Sequence, residues 1–116
     1  MTKPAVQLRD VIVHTGAEKG KTTIGWIASD TNLQAEPITL SYAESPTGPW
    51  TKIAEKLKND GKYVWQMPES VPYQIHVKVE AVDKANNLGE DVTRGLIKVD
   101  LAQPKIEIRK VRPLGQ

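Results

Sequence analysis

Tyr73-Gln74-Ile75-His76-Val77-Lys78-Val79-Glu80-Ala81 is the stretch whose reading decides the fold. Tyr73, Ile75, Val77, Val79 and Ala81 recur at a strict spacing of two, with Gln74, His76, Lys78 and Glu80 between them. Successive side chains of a strand point to opposite faces, so this pattern predicts a strand with one buried face and one wet face. The same period runs outward in both directions. Towards the N-terminus, Tyr63, Trp65 and Met67 share a face, as do Ile38, Leu40 and Tyr42, then Thr22, Ile24, Trp26 and Ala28. Val6, Leu8, Val11 and Val13 form a first strand whose phase shifts near Asp10, the mark of a β-bulge. Towards the C-terminus, Asp83 to Asp91 reads as a polar loop, followed by Ile97, Val99 and Leu101 in a last strand.

Turn chemistry separates these runs. Ser29-Asp30-Thr31-Asn32, Ser45-Pro46-Thr47-Gly48-Pro49 and Lys58-Asn59-Asp60-Gly61 carry the residues that bond their own backbone or permit tight reversals. Trp50 to Ala54 is a short strand, and Ala54 to Lys58, the one stretch with helical character, is too short to stand alone. The count is seven strands with turns about every 8–12 residues, which predicts an all-β, seven-stranded antiparallel sandwich.

Composition narrows the function. The chain has 116 residues, 16 Lys and Arg against 14 Asp and Glu, and a formal net charge of +2. So small a balance argues against a dedicated nucleic-acid surface. Hydrophobic residues at 39% and charged residues at 26% fit one folded domain. No run approaches the roughly 20 apolar residues that span a bilayer, and no apolar run follows Met1-Thr2-Lys3-Pro4 as a signal peptide would require. Without cysteine there are no disulfides, thiolate metal sites or cysteine nucleophiles.

The two ends of the chain resemble each other. Pro4-Ala5-Val6-Gln7-Leu8-Arg9-Asp10-Val11 aligns with Pro104-Lys105-Ile106-Glu107-Ile108-Arg109-Lys110-Val111, 100 residues later, which is about the length of one immunoglobulin-like domain. The expected organisation is a sandwich over residues 4–103, with residues 104–116 supplying an extra strand that begins the next tandem module. Cut off from its own sheet, the segment from Pro104 to Val111 has backbone groups to satisfy, and a dimer formed by pairing with another sheet edge is one expectation. In that strand Arg109 is out of phase with Ile106 and Ile108, so its charge points to water and not to nucleic acid.

Trp26 in the second strand, Tyr42 in the third and the Tyr73–Ala81 alternation in the sixth resemble a fibronectin type III domain. Met67-Pro68 is similar to that family's Leu-x-Pro segment with altered spacing, and Gly89 is similar to the glycine of its last loop. The resemblance covers about residues 4–103 and is strongest to the variants in large bacterial surface or secreted proteins. It implies a non-catalytic structural or spacer module of a larger extracytoplasmic protein, in contact with neighbouring modules of that chain. The alternative it implies is a carbohydrate- or protein-binding module that uses the loop-rich end. No Arg-Gly-Asp tripeptide is present, so integrin-type adhesion has no support. The expected core is Trp26, Tyr42, Trp65, Tyr73, Ile75, Val77 and Val79, with Trp26 filling about 200 Å² between the sheets.

The residues bear on three site chemistries. In this fold, the loops after the second, fourth and sixth strands gather at one end. Asp30, Asn32, Asp60, Asp83, Asn86, Asn87 and Asp91 are therefore candidate calcium ligands, since calcium takes six to eight oxygens. The same residues are default turn formers, and no Asp-x-Asp-x-Asp loop fixes a geometry, so turn chemistry is the stronger reading and no cofactor is expected. Trp50, next to Pro49 and irregular in phase, is the candidate sugar-binding ring, whereas Trp65 shares a face with Tyr63 and Met67 and belongs to the core. Catalysis has little basis. His76 falls on the wet face and His14 near a strand end, and none of Ser29, Ser41, Ser45 or Ser70 lies in a nucleophile elbow.

Overall fold

The computed structural model describes residues 3–14 and 20–99. Eight strands occur in order: β1 (Ala5–Val13), β2 (Lys21–Ser29), β3 (Leu33–Ala43), β4 (Thr51–Leu57), β5 (Lys62–Gln66), β6 (Gln74–Asp83), β7 (Leu88–Val92) and β8 (Ile97–Lys98). Among the described residues there is no helix. All strand pairs are antiparallel, and they form two sheets, β1-β2-β5 and β4-β3-β6-β7, with β8 also on β6.

β7 and β8 are two pieces of one edge strand. β7 pairs with β6 from Lys78 to Val82, and β8 pairs with Gln74 and Ile75 further along the same edge. Between them Thr93 keeps the ladder going. Its N–H donates to Val77 O at 2.9 Å and its Oγ1 accepts the Val77 N–H at 3.1 Å. The architecture is therefore three strands facing four, the seven-stranded sandwich that the alternation predicts. β4 lies beside β3, unlike the constant-type immunoglobulin arrangement, where the fourth strand lies beside the fifth.

The core sits between the sheets. From β6, Ile75, Val77, Val79 and Ala81 are at most 1% exposed, and they meet Ile24 and Trp26 of β2, Ile38 and Leu40 of β3, and Trp65 of β5. The Trp65 ring lies 5.2 Å from that of Tyr42, which is half-buried against the same cluster. The expected bulge is present as a register shift between Leu8 and Asp10.

Four expectations need correction. The stretch from Asp83 to Asp91 is not one polar loop, because β7 begins at Leu88 and Gly89 is a strand residue paired with Ala81. Ala54 to Leu57 is strand, with Lys56 at a positive φ of 55° where the pairing with β3 shifts register between Ile38 and Leu40. Tyr73 is 62% exposed and not in the core, because Val71 and Val99 already fill that end, and Tyr73 O accepts the Val99 N–H from outside. His76, placed by phase on the wet face, is 8% exposed, and its Nδ1 has no hydrogen-bond partner. Leu101, residues 104–116 and the Pro104–Val111 dimer lie outside the described residues.

Candidate functional site

The loops after β2, β4 and β6 lie at one end of the sandwich, and a main-chain bond joins the first of them to the third. Asp30 Oδ1 accepts the Asn32 N–H at 2.8 Å, and Asn32 O accepts the Lys84 N–H at 2.8 Å, which joins the first loop to the third. Asp83 is 4% exposed, and it holds the third loop closed. Its Oδ1 accepts the N–H groups of Ala85 and Asn87 at 2.9 and 2.8 Å, and its Oδ2 accepts Asn87 Nδ2 at 3.0 Å. Burial acts to raise the Asp83 pKa, but the bonds from Asn87 and Ala85 outweigh it and hold the carboxyl below its ordinary value. Asn86, at a φ of 66°, accepts Gln34 Nε2 at 3.2 Å.

Of the calcium candidates, Asp30, Asn32, Asp83 and Asn87 line one shallow depression together with Lys84, while Asn86 lies beside the Pro4 segment. Asp60 is apart in the β4–β5 turn, and Asp91 points between the sheets. Among the described residues, no group of three or more His, Asp or Glu side chains is placed to hold a metal ion. Asp83, the most buried of these carboxylates, spends both oxygens on backbone and side-chain donors of its own loop, which is turn chemistry.

Sequence reading places Asn59 at the loop-rich end but misses what it holds. Its Oδ1 accepts Trp26 Nε1 at 3.0 Å and its Nδ2 donates to Ala28 O at 2.8 Å, so one turn residue fixes both the central indole and the end of β2. An asparagine before Asp-Gly signals only a turn, and its partners lie about thirty residues away in the chain.

The Trp50 ring is half-buried on the outer face of the four-stranded sheet. Lys78 Nζ stands 4.6 Å from its centroid, a cation–π contact, and Lys78 also pairs with Glu80 at 3.4 Å. A Cβ on Gly48 would come within 2.8 Å of the indole Cδ1, so the ring edge is held as well. One face of this ring is thus occupied and not open to a sugar.

Asp91 serves the architecture. Asp91 and Gly89 pair with Val79 and Ala81, whose side chains are fully buried, so both face inward towards β1. Asp91 Oδ2 accepts the Leu8 N–H at 2.7 Å, and its Oδ1 accepts Arg94 Nη1 at 2.8 Å. Burial acts to raise the Asp91 pKa, and the bonds from Arg94 and Leu8 overcome that and lower it. At Gly89 a Cβ would lie 2.1 Å from Pro4 O, so the N-terminal segment crosses the strand where no side chain exists. The sheets are closed along this side by one glycine and one carboxylate.

A solved structure of the twitchin kinase region from C. elegans (Fn31-NL-kin-CRD-Ig26) is similar to this chain. The TM-score is 0.57 at 14% identity, over 84% of this chain and 17% of that one. The fold is an immunoglobulin/fibronectin type III-like sandwich. Searches of family models and of curated proteins gave no match. The likeness carries the fold alone, and the kinase and the other parts of that longer chain lie outside it.

Two depressed carboxyl pKa values give a pH prediction. A group whose pKa is lower folded than unfolded contributes stability above its unfolded value and loses it as pH falls through the folded one. Stability is therefore expected to drop as the pH descends past 3.8, the ordinary aspartate value, while remaining flat above it for these two groups. Asp91→Asn should cost about 1 kcal/mol near neutrality by weakening the bonds to Leu8 and Arg94, and should flatten the acid limb. Urea unfolding midpoints at a series of pH values measure both effects.

Proposed function

We propose that this sandwich is a non-catalytic structural module that sets spacing between its neighbours in a larger protein, in the extracytoplasmic setting that the fibronectin type III resemblance implies. What supports the reading is the path of the chain. Pro4 enters beside the β6–β7 loop residues Asn86 and Asn87, whereas β8 pairs at the opposite end of β6, with Gln74 and Ile75. A module entered at one end and left at the other lengthens a chain by its own long dimension, and a short linker then restricts the angle to the next module.

The carboxylates whose geometry is most developed, Asp83 and Asp91, are spent on loop closure and sheet closure. That too fits a framework better than a reaction centre. The alternative, a glycan- or protein-binding module, would use the loop-rich end, where Leu88 is 44% exposed.

The test is to replace residues 4–99 in the parent chain by an unrelated sandwich of equal length. The spacer reading expects the parent's activity and assembly to survive. A loss that is restored only when Asp30, Asn59 and Asn87 are grafted back would carry the binding reading in its place.

A further inference from the structure

The outer face of the β1-β2-β5 sheet carries apolar side chains that no described segment covers. Ile12, Ile27 and Val64 are 49%, 50% and 50% exposed. Ile12 and Val64 are both paired with Thr23, one on each side of β2, so Ile12, Thr23 and Val64 form a row across the sheet, and Ile27 lies two rows further along β2. The next row on the same face is Asp10, Gly25 and Lys62. Gly25 faces outward, because Ile24 and Trp26 on either side of it are buried, and Asp10 Cβ lies 3.8 Å from where a Gly25 Cβ would stand. Asp10 and Lys62 are both exposed, and among the described residues neither joins an ion pair.

We propose that this face packs against the same face of a second copy of the chain, about a two-fold axis parallel to β2. Such an axis carries β1 of one copy over β5 of the other and leaves each row at its own height. Asp10 then faces Lys62 of the second copy, twice by symmetry, and Ile12 faces Val64 of the second copy. Gly25 meets its own symmetry mate at the centre of the charged row, where the missing side chains let the sheets approach to the ~10 Å of packed sheets. Lys21, one row beyond Thr23, is already engaged within its own chain.

The charges also select the orientation. A two-fold axis across the strands through the Gly25 row would set Asp10 on Asp10 and Lys62 on Lys62. Like charges would then oppose each other at both positions, which is the repulsive element that excludes a wrong pairing. Opposite charges on the two edge strands of one row, beside an apolar row, are the pattern that a parallel axis requires.

Sedimentation of the full chain over a wide concentration range tests this. A reversible dimer is expected, with its dissociation constant raised at least about tenfold by Asp10→Lys alone or by Lys62→Asp alone. The double variant Asp10→Lys/Lys62→Asp restores the pairs and should recover the dimer, which also shows that the single variants are folded. A chain that stays monomeric at about millimolar concentration overturns the proposal. So does a dimer that ignores both single reversals, particularly one lost on removing residues 104–116, because the interface then lies elsewhere.

Discussion

Replacing Trp26 by alanine should lower stability by about 4 kcal/mol, a large share of the 5–15 kcal/mol that holds an ordinary domain together. The side chain is 3% exposed, in the centre of the cluster formed by Ile24, Leu40, Trp65, Val77 and Val79. Its removal leaves a cavity that strands from both sheets would have to collapse into, and strands fixed by ladder hydrogen bonds collapse poorly. The indole is also bonded. Trp26 Nε1 donates to Asn59 Oδ1, and the Trp26 main-chain N–H donates to Gly61 O at 3.0 Å, so β2 and the β4–β5 turn are joined at this residue. Trp26→Phe separates the two contributions. It keeps most of the ring volume and loses the N–H, and it should cost about 1–2 kcal/mol. In that background Asn59→Ala should cost less than it does alone, because one of the bonds it removes is already gone. Equal costs in both backgrounds would show that the indole bond contributes nothing. Urea denaturation of the four proteins decides this.

Gly89→Ala should cost about 3 kcal/mol, at the upper end for an added methyl. Most added methyl groups meet a side chain that can turn away. This one would stand 2.1 Å from Pro4 O and 3.0 Å from Pro4 C, and backbone held in a sheet does not turn away. Pro4 is buried and leads directly into β1, which pairs with β2 along its whole length. The clash is relieved only by lifting the N-terminal segment off β7 or by tilting β7 away from β1, and the second course strains the Asp91–Leu8 bond two residues on. Deleting residues 1–4 distinguishes these outcomes. The deletion alone should be mildly destabilising, and combined with Gly89→Ala it should recover most of the loss. A full penalty that persists after the deletion would mean that the methyl group offends something other than Pro4.

Gly89 and Asp91 explain why one strand was hidden in the sequence. β6 was legible because it lies inside its sheet, between β3 and β7, and every inward position from Ile75 to Ala81 is apolar. The bulge in β1 was legible because a shift of phase leaves Val6 and Leu8 on one count and Val11 and Val13 on the next. β7 was not legible. Its inward positions are Gly89, which must be empty for Pro4, and Asp91, which must be polar for the Leu8 N–H, so the alternation that marks a strand is absent. Tyr73 misled in the opposite way, since it keeps the phase of β6 but lies beyond the place where Val71 and Val99 close the core. At the loop end, the chemistry of Asp30 and Asp83 as turn formers was readable from composition. The long-range bonds from Asn59 and Gln34 were not, because a side chain's distant partner leaves no local pattern.

Small-angle scattering from two copies of residues 4–103 joined head to tail, compared with one copy, tests the spacer reading most directly. A chain that enters beside Asn86 and leaves beyond β8 should give a maximum dimension about twice that of the single copy. A two-copy protein little longer than one copy would mean that the modules fold back side by side, and the account of this sandwich as a spacer would be contradicted.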